Sequence, residues 1–219
     1  MSAPAKTFDR LARPYRLLEW IAFGPLLERA RFQHLEQLRD CQRILLLGDG
    51  DGRVLSRLCA LAPAAHIDTL DLSAGMLARA ASRLTPADRT RVIFRQANAL
   101  QAGYPPTAYD AVVTFFFLDC FTDSQVSALI ARMQPALTAD ALWLFADFAE
   151  PAHGWRRLRA KIWLAVMYAF FRWQTGLSTR RLPASEALLL SAGFTMRAET
   201  SFQGGFVRSA VFAKPPVAR

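Results

Sequence analysis

The stretch ILLLGDGDGR, Ile44 to Arg53, decides how the rest of this 219-residue sequence is interpreted. An apolar run leads into three glycines at alternate positions, and an aspartate separates each glycine from the next. Glycines at a strand-to-helix turn let a ligand lie against bare main chain. Because Asp49 and Asp51 would repel a phosphate, the ligand of this loop has to be inferred from the rest of the chain.

Strand-like and helix-like segments alternate around this loop. Strands are predicted at residues 43–47, 66–72, 91–96, 109–118 and 141–148, and helices at residues 53–61, 74–84 and 122–137. A helix at residues 185–191 precedes two last strands, 194–202 and 206–213, and the Gly204-Gly205 pair between them fits an antiparallel hairpin. This order predicts an α/β, Rossmann-like fold: a seven-stranded, mostly parallel sheet with helices on both faces and a C-terminal antiparallel hairpin.

Composition narrows the classes of partner. The net charge of +9 comes from arginines spread along the chain, and no DNA- or RNA-binding motif is present, so a nucleic-acid partner is disfavoured against an acidic or membrane surface. The three cysteines and three histidines lack metal-ligand spacing, and we predict no metal site. With no apolar run of ~20 residues and no signal-peptide core, the expected location is the cytoplasm, peripheral to a membrane at most.

Asp71 is the second polar signal, because it ends the second predicted strand. An acid at that position can bind the two hydroxyls of a ribose, although a lone aspartate there also serves as a helix cap. Together with Gly48, Gly50 and Gly52, it indicates a cofactor that contains a nucleoside.

Further motifs extend this pattern over the chain: LDLSAGMLARA (70–80), YDAVVTFFFLD (109–119), MQPALTADALWLFADF (133–148) and the closing glycine hairpin. With the glycine loop, they resemble the class I S-adenosylmethionine-dependent methyltransferases from Phe8 to Lys214. The opening FDRLARPYRLLEWIAFGPLLERAR (8–31) is similar to the N-terminal segment of quinone-biosynthesis C-methyltransferases. The resemblance implies a methyltransferase domain over residues 41–219 and a helical extension, residues 1–40, that caps the active site.

This resemblance also accounts for the two loop aspartates. S-adenosylmethionine has no phosphate, and its ammonium and sulfonium groups are cations that Asp49 or Asp51 can attract. By family analogy, Gly48 and Gly50 pass beneath the methionine and ribose, Asp71 holds the ribose hydroxyls, and Asn98 binds the adenine amino group. The implied cofactor-binding set is Gly48, Asp49, Gly50, Asp51, Gly52, Asp71, Leu72, Met76, Asn98, Ala99, Thr114 and Phe115.

One position departs from the family pattern, since Leu46 stands where an acid normally precedes the first glycine by two residues. Either Asp49 or Asp51 compensates, or the cofactor binds more weakly. If Asp51 compensates, Asp51→Ala weakens binding by roughly 1–3 kcal/mol, the contribution of a charged hydrogen bond.

Methyl transfer to oxygen or carbon also requires a base if the acceptor must lose a proton. The candidate catalytic residues are Asp119 and Asp147, which line the pocket at the ends of the fourth and fifth strands, His153 as the best base, and Tyr15 from the extension. Each has a simpler explanation as a turn, loop or packing residue.

Residues 162–171, IWLAVMYAFF, are apolar on every helical face and have basic flanks. The N-terminal extension, a homodimer partner, a hydrophobic substrate or an anionic membrane surface would each cover them, and the basic flanks favour the last two. We therefore expect a methyltransferase acting on an aromatic or lipid-like small molecule. Two alternatives remain at this point: a non-catalytic scaffold with the same fold, and an NAD(P)-dependent oxidoreductase, which the loop aspartates and the hairpin disfavour.

Overall fold

The computed structural model describes residues 25–151 and 181–215, and its core is one seven-stranded sheet. The strands are β1 Arg43–Leu47, β2 His66–Asp71, β3 Val92–Gln96, β4 Tyr109–Phe115, β5 Leu137–Phe148, β6 Thr195–Phe202 and β7 Val207–Ala213. Their order is β3-β2-β1-β4-β5-β7-β6, with β1 to β5 parallel and β7 antiparallel to both β5 and β6. The predicted fold, including the C-terminal hairpin, is confirmed.

Six α-helices of the described residues accompany the sheet: α1 Leu26–Phe32, α2 Arg53–Leu61, α3 Ala74–Ser82, α4 Pro86–Arg89, α5 Asp123–Met133 and α6 Ser185–Ser191. Side chains alternate across a strand, so Ile44 and Leu46 of β1 join the core beneath α1 and α2. Leu45 and Leu47 join the opposite core beneath α5 and α6. Both faces of the sheet are therefore covered, as a parallel sheet requires.

Several predicted boundaries are wrong, and backbone geometry explains two of them. β4 was expected to run to residue 118 but ends at Phe115, because Phe116 adopts a φ of +51° and turns the chain into the short 3₁₀ turn Leu118–Cys120. The helix predicted over 122–137 ends at Met133, because Pro135 cannot continue it and a 3₁₀ turn leads into β5 at Leu137.

The shorter differences lie at element ends. The second, third, sixth and seventh predicted strands are one residue too long, the 74–84 helix ends at Ser82, and α4 was not predicted. Of the extension, α1 and the 3₁₀ turn Leu35–Leu38 pack on one core. Tyr15, His153 and segment 162–171 lie outside the described residues. No helix in the described ranges is long and apolar enough to cross a membrane.

Candidate active site

The glycine loop follows β1 and leads into α2 at the carboxyl edge of the sheet. Gly48, Gly50 and Gly52 all have positive φ, which favours glycine at these positions. A Cβ on Gly48 would lie 2.3 Å from the Phe117 ring, and one on Gly52 would lie 2.4 Å from the Ala80 Cα. A Cβ on Gly50 would meet no atom of the described residues within 4 Å. Within that part of the chain, Gly50 therefore presents bare main chain to open space, which fits close approach by a cofactor.

Asp49 stabilises the start of α2. Its two carboxylate oxygens accept hydrogen bonds from the backbone N–H groups of Val54, at 3.2 Å, and Leu55, at 3.0 Å. The N-cap residue of α2 is Gly52, which has no side chain to do this. Burial raises the pKa of Asp49 to about 6, and the two backbone hydrogen bonds oppose that rise.

Asp51 connects the loop to the end of α3. Its carboxylate lies 2.8 Å from the Arg83 guanidinium and 3.5 Å from that of Arg53. The Asp51 carbonyl also accepts a hydrogen bond from Arg83 Nε at 2.6 Å. A role for Asp49 or Asp51 toward the cofactor stays a prediction, and the structure adds a structural role for each.

Asp71 lies beside this loop, at the end of β2. The N–H of Gly48 donates to the Leu70 carbonyl at 2.9 Å, which joins the two strand ends. The Asp71 carboxylate is half-buried and accepts a hydrogen bond from Ser73 N–H at 2.9 Å, and Ser73 in turn caps α3. Asp71 is thus oriented at the carboxyl edge, adjacent to the glycines, as the ribose-binding prediction needs.

The remaining predicted cofactor residues surround this corner. Ala97 N–H donates to the Asp71 carbonyl at 3.1 Å, which brings Asn98 and buried Ala99 next to Asp71. The Asn98 side chain accepts from Leu100 N–H at 3.0 Å, so its oxygen already has a main-chain partner. Leu72 and Met76 are half-buried nearby on the β2–α3 segment.

Thr114 and Phe115 are buried at the end of β4, beside β1. Thr114 Oγ1 accepts from Trp143 Nε1 at 2.8 Å, so the Thr114 hydroxyl is bound inside the core. Only their main chain can run along a ligand, which is how the family analogy uses this segment.

Two buried aspartates, Asp119 and Asp147, lie together where β4 and β5 end. They are 8% and 2% exposed, and Asp147 accepts hydrogen bonds from the N–H groups of Asp119, at 3.0 Å, and Phe148, at 2.9 Å. Burial raises the pKa of Asp119 to about 6. Burial and the nearby Asp119 charge raise that of Asp147 well above its usual range. Such a pair can hold a proton near neutral pH.

Two residues at this site were not predicted from the sequence. Phe117 packs against Gly48, and its ring lies 5.1 Å from that of Phe121. The guanidinium carbon of Arg31, in α1, lies 4.9 Å from the centroid of the Phe116 ring. The positive charge of Arg31 opposes the rise in the pKa of Asp49 and of Asp119. The FFF run after β4 was a usable signal for Phe117, whereas nothing in the local sequence marks Arg31.

A cavity of about 370 Å³ opens beside the aspartate pair. Asp147 and the aromatic residues Phe145 and Phe148 line it from β5, and Arg208 lines it from β7. The start of α6 and the residues just before it close the other side. No group of three metal-ligating side chains that could hold a metal ion occurs within residues 25–151 and 181–215.

This edge has the features of an α/β enzyme that binds a nucleoside cofactor at the point where strand order reverses, between β1 and β4. Residues 44–140 match the family model described as a methyltransferase domain. The chain is 28% identical over 208 residues to the demethylmenaquinone methyltransferase of Thermus thermophilus, covering 88% of this chain and 93% of that protein.

Solved structures share the fold. The N-methyltransferase NodS from Bradyrhizobium japonicum WM9, in complex with S-adenosyl-L-homocysteine, superposes with a TM-score of 0.61 at 18% identity, over 86% of this chain and 88% of that one. An O-methyltransferase family protein from Burkholderia thailandensis superposes with a TM-score of 0.68 at 14% identity, over 96% of this chain and 59% of that one. The matched methyltransferase domain and these similarities support a class I S-adenosylmethionine-dependent methyltransferase over the oxidoreductase and scaffold alternatives.

Proposed function

We propose that this methyltransferase acts on a hydrophobic small molecule with an aromatic or lipid-like part. The observation that carries the proposal is the cavity beside Asp147, whose walls include Phe145, Phe148, Leu182 and Pro183. An apolar cavity with a few polar groups is the usual form of a small-molecule site. The similarity to a demethylmenaquinone methyltransferase supports the same substrate class.

The glycine loop and Asp71 would hold the cofactor. The main chain at Gly48 and Gly50 would lie against its methionine and ribose, Asp71 would accept from the ribose hydroxyls, and Asn98 would contact the adenine. When bound, S-adenosylmethionine supplies an electrophilic methyl group on a cationic sulfur.

The protein's own contribution is to orient the acceptor, exclude water and remove a proton. We assign the base to the Asp119–Asp147 pair. Burial raises the pKa of Asp119 to about 6, so this carboxylate can accept a proton near neutral pH. His153 and Tyr15 remain candidates from outside the described residues.

The experiment is a methylation assay with S-adenosylmethionine and two acceptors, a reduced prenylated naphthoquinone and a small polar amine. We expect turnover of the quinol and none of the amine, with S-adenosyl-L-homocysteine binding measured in parallel by calorimetry. Asp71→Asn should weaken that binding about tenfold or more, because it removes a charged hydrogen-bond acceptor. Asp88→Asn, on the surface at α4, is the matched control. Turnover of the amine alone would overturn the proposed substrate class.

A further inference from the structure

The cavity beside Asp147 is linked to the glycine loop through the segment from Phe117 to Asp119. Gly48 lies against the Phe117 ring, and Asp119 follows two residues later and donates its N–H to Asp147. Asp147 forms part of the cavity wall. A molecule in this cavity would therefore lie next to the residues that border the predicted cofactor site.

The polar wall of the cavity combines carboxylates with two hydrogen-bond donors, Arg208 and Ser185. Arg208 is opposite Asp147 in the β5–β7 register, so both side chains are on the same face of the sheet. Arg208 Nη1 forms an ion pair with Glu186 of α6 at 2.7 Å. The two oxygens of Asp147 accept hydrogen bonds from main-chain N–H groups. Asp147 and Glu186 therefore already have donors within the protein, whereas Arg208 and Ser185 can supply donors to a ligand oxygen.

Two donors on this wall are incompletely satisfied. Among the described residues, Ser185 Oγ and Arg208 Nε are the buried side-chain oxygen and nitrogen atoms that lack a hydrogen-bond partner. Ser185 is 4% exposed, and Arg208 Nε lies 3.4 Å from Glu199 Oε1 without forming a hydrogen bond. Leaving buried donors unpaired is costly, and a ligand oxygen toward which the covered Ser185 and Arg208 side chains turn would remove that cost.

We infer that this cavity binds an aromatic ring that carries an oxygen, with the ring against Phe145 and the oxygen accepting from Arg208 and Ser185. The inference rests on the proposed function, in which this molecule is the methyl acceptor. It adds the oxygen-bearing ring as the recognised group, and Ser185 and Arg208 as specificity-determining residues. Aromatic side chains and a cavity of this size suit a ligand with one or two rings.

The test compares 1-naphthol with naphthalene, which lacks the oxygen, by equilibrium dialysis against the full chain loaded with S-adenosyl-L-homocysteine. We expect 1-naphthol to bind at least fivefold more tightly than naphthalene. Ser185→Ala breaks no hydrogen bond in the structure, so it should reduce this preference without lowering the Tm. Arg208→Lys should also reduce the preference, because lysine lacks the Nε donor.

A second pair of variants, both on α6, tests whether the ligand lies in this cavity. Ala187→Trp places a large side chain at the cavity wall and should weaken both ligands about tenfold. Leu190→Trp lies on the same helix away from the cavity, at a side chain that is 48% exposed, and should bind both ligands as the unmodified protein does. If Ala187→Trp fails to fold, the comparison of Ser185→Ala with the unmodified protein tests the location of the ligand instead.

The inference is overturned if 1-naphthol binds no more tightly than naphthalene, if neither binds, or if Ser185→Ala keeps the full preference. Calorimetry with S-adenosyl-L-homocysteine separates this failure from failure of the proposed function. If the cofactor binds and the quinol is turned over, but the cavity variants bind both ligands as the unmodified protein does, only the cavity assignment is rejected. If the protein neither binds the cofactor nor turns over the quinol, the proposed function is rejected.

Discussion

At the scale of single residues, the three alternate glycines are equivalent in sequence and different in structure. A side chain would meet the Phe117 ring at Gly48 and the α3 backbone at Ala80 at Gly52, whereas at Gly50 it would meet no atom in residues 25–151 or 181–215. A side chain would therefore have a different consequence at each position. Gly50 is the position of the three where the space that a side chain would take is open among the described residues.

Alanine at Gly48 and at Gly50 should separate stability from cofactor binding. A positive φ costs an alanine about 1–2 kcal/mol at either position, and Gly48→Ala adds a clash at 2.3 Å with the Phe117 ring. We expect Gly48→Ala to lower the free energy of unfolding more than Gly50→Ala does. Gly50→Ala should fold and lose S-adenosyl-L-homocysteine affinity. Urea denaturation and calorimetry measure the two effects, and unchanged affinity in Gly50→Ala would contradict the assignment of the loop.

The buried aspartate pair predicts a pH dependence of activity. A base must be ionised to accept a proton, and burial raises the pKa of Asp119 to about 6. We therefore expect kcat/KM to rise with pH up to about 6 and to level off above it. Asp119→Asn should lower kcat by about a hundredfold or more and remove this limb.

A second variant, Asp147→Asn, tests the other member of the pair by the same measurement of kcat/KM against pH. It should leave the rise in kcat/KM near pH 6 in place, because the pKa of Asp147 is raised well above its usual range and its carboxyl is protonated while Asp119 titrates. Glu36→Gln changes an exposed carboxylate on the 3₁₀ turn after α1 and is the control. If kcat/KM of Asp119→Asn still rises with pH up to about 6, another group is responsible for the titration.

At the scale of elements, α2 is capped from outside the helix. Asp49 precedes the first residue of α2 by four positions and still reaches two of its free N–H groups. The cap couples the conformation of the glycine loop to the stability of the helix. A residue chosen as a cofactor ligand therefore also has a measurable structural role.

Asp49→Ala should lower the free energy of unfolding by about 1–2 kcal/mol, because Val54 and Leu55 lose their N–H acceptors. Asp51→Ala removes a partly exposed ion pair with Arg83 and should cost no more than about 1 kcal/mol. Urea denaturation of both variants measures the difference. Equal losses would mean that the cap contributes nothing beyond a surface charge.

At the scale of the whole molecule, the strand order determines which distant segments meet. β1 has β2 on one side and β4 on the other, so the glycine loop, Asp71 and the end of β4 share one edge. The net charge of +9 acts over the same scale. The partners expected from the sequence, an anionic membrane surface or a second copy of the chain, stay proposals.

We expect the protein to sediment with phosphatidylglycerol vesicles at about 0.1 M salt and to be released at about 1 M, where charges are screened beyond ~3 Å. Phosphatidylcholine vesicles should bind much less. Analytical ultracentrifugation without vesicles tests the homodimer alternative. Equal sedimentation with both lipids, insensitive to salt, would reject an electrostatic membrane contact.

Much of the fold was predictable because it depends on local patterns. The bounds of β1, α2 and α6 match the prediction to the residue, since apolar periodicity and flanking glycine or proline define them. The end of β4 was not predictable, because Phe116 adopts a positive φ that its side chain does not favour. The roles of Arg31 and Arg208 depend on contacts between elements far apart in the chain.

The sequence by itself determined the alternation of strands and helices, the glycine corner and the acid at the end of β2, because hydrophobic periodicity and glycine placement are properties of neighbouring residues. Only the tertiary structure decided that Asp119 and Asp147 share one buried site and that Arg208 and Ser185 line a cavity beside it. The physical reason is that burial and charge proximity depend on how strands are ordered in the sheet. That order places Asp147 opposite Arg208, which is 61 positions later in the chain.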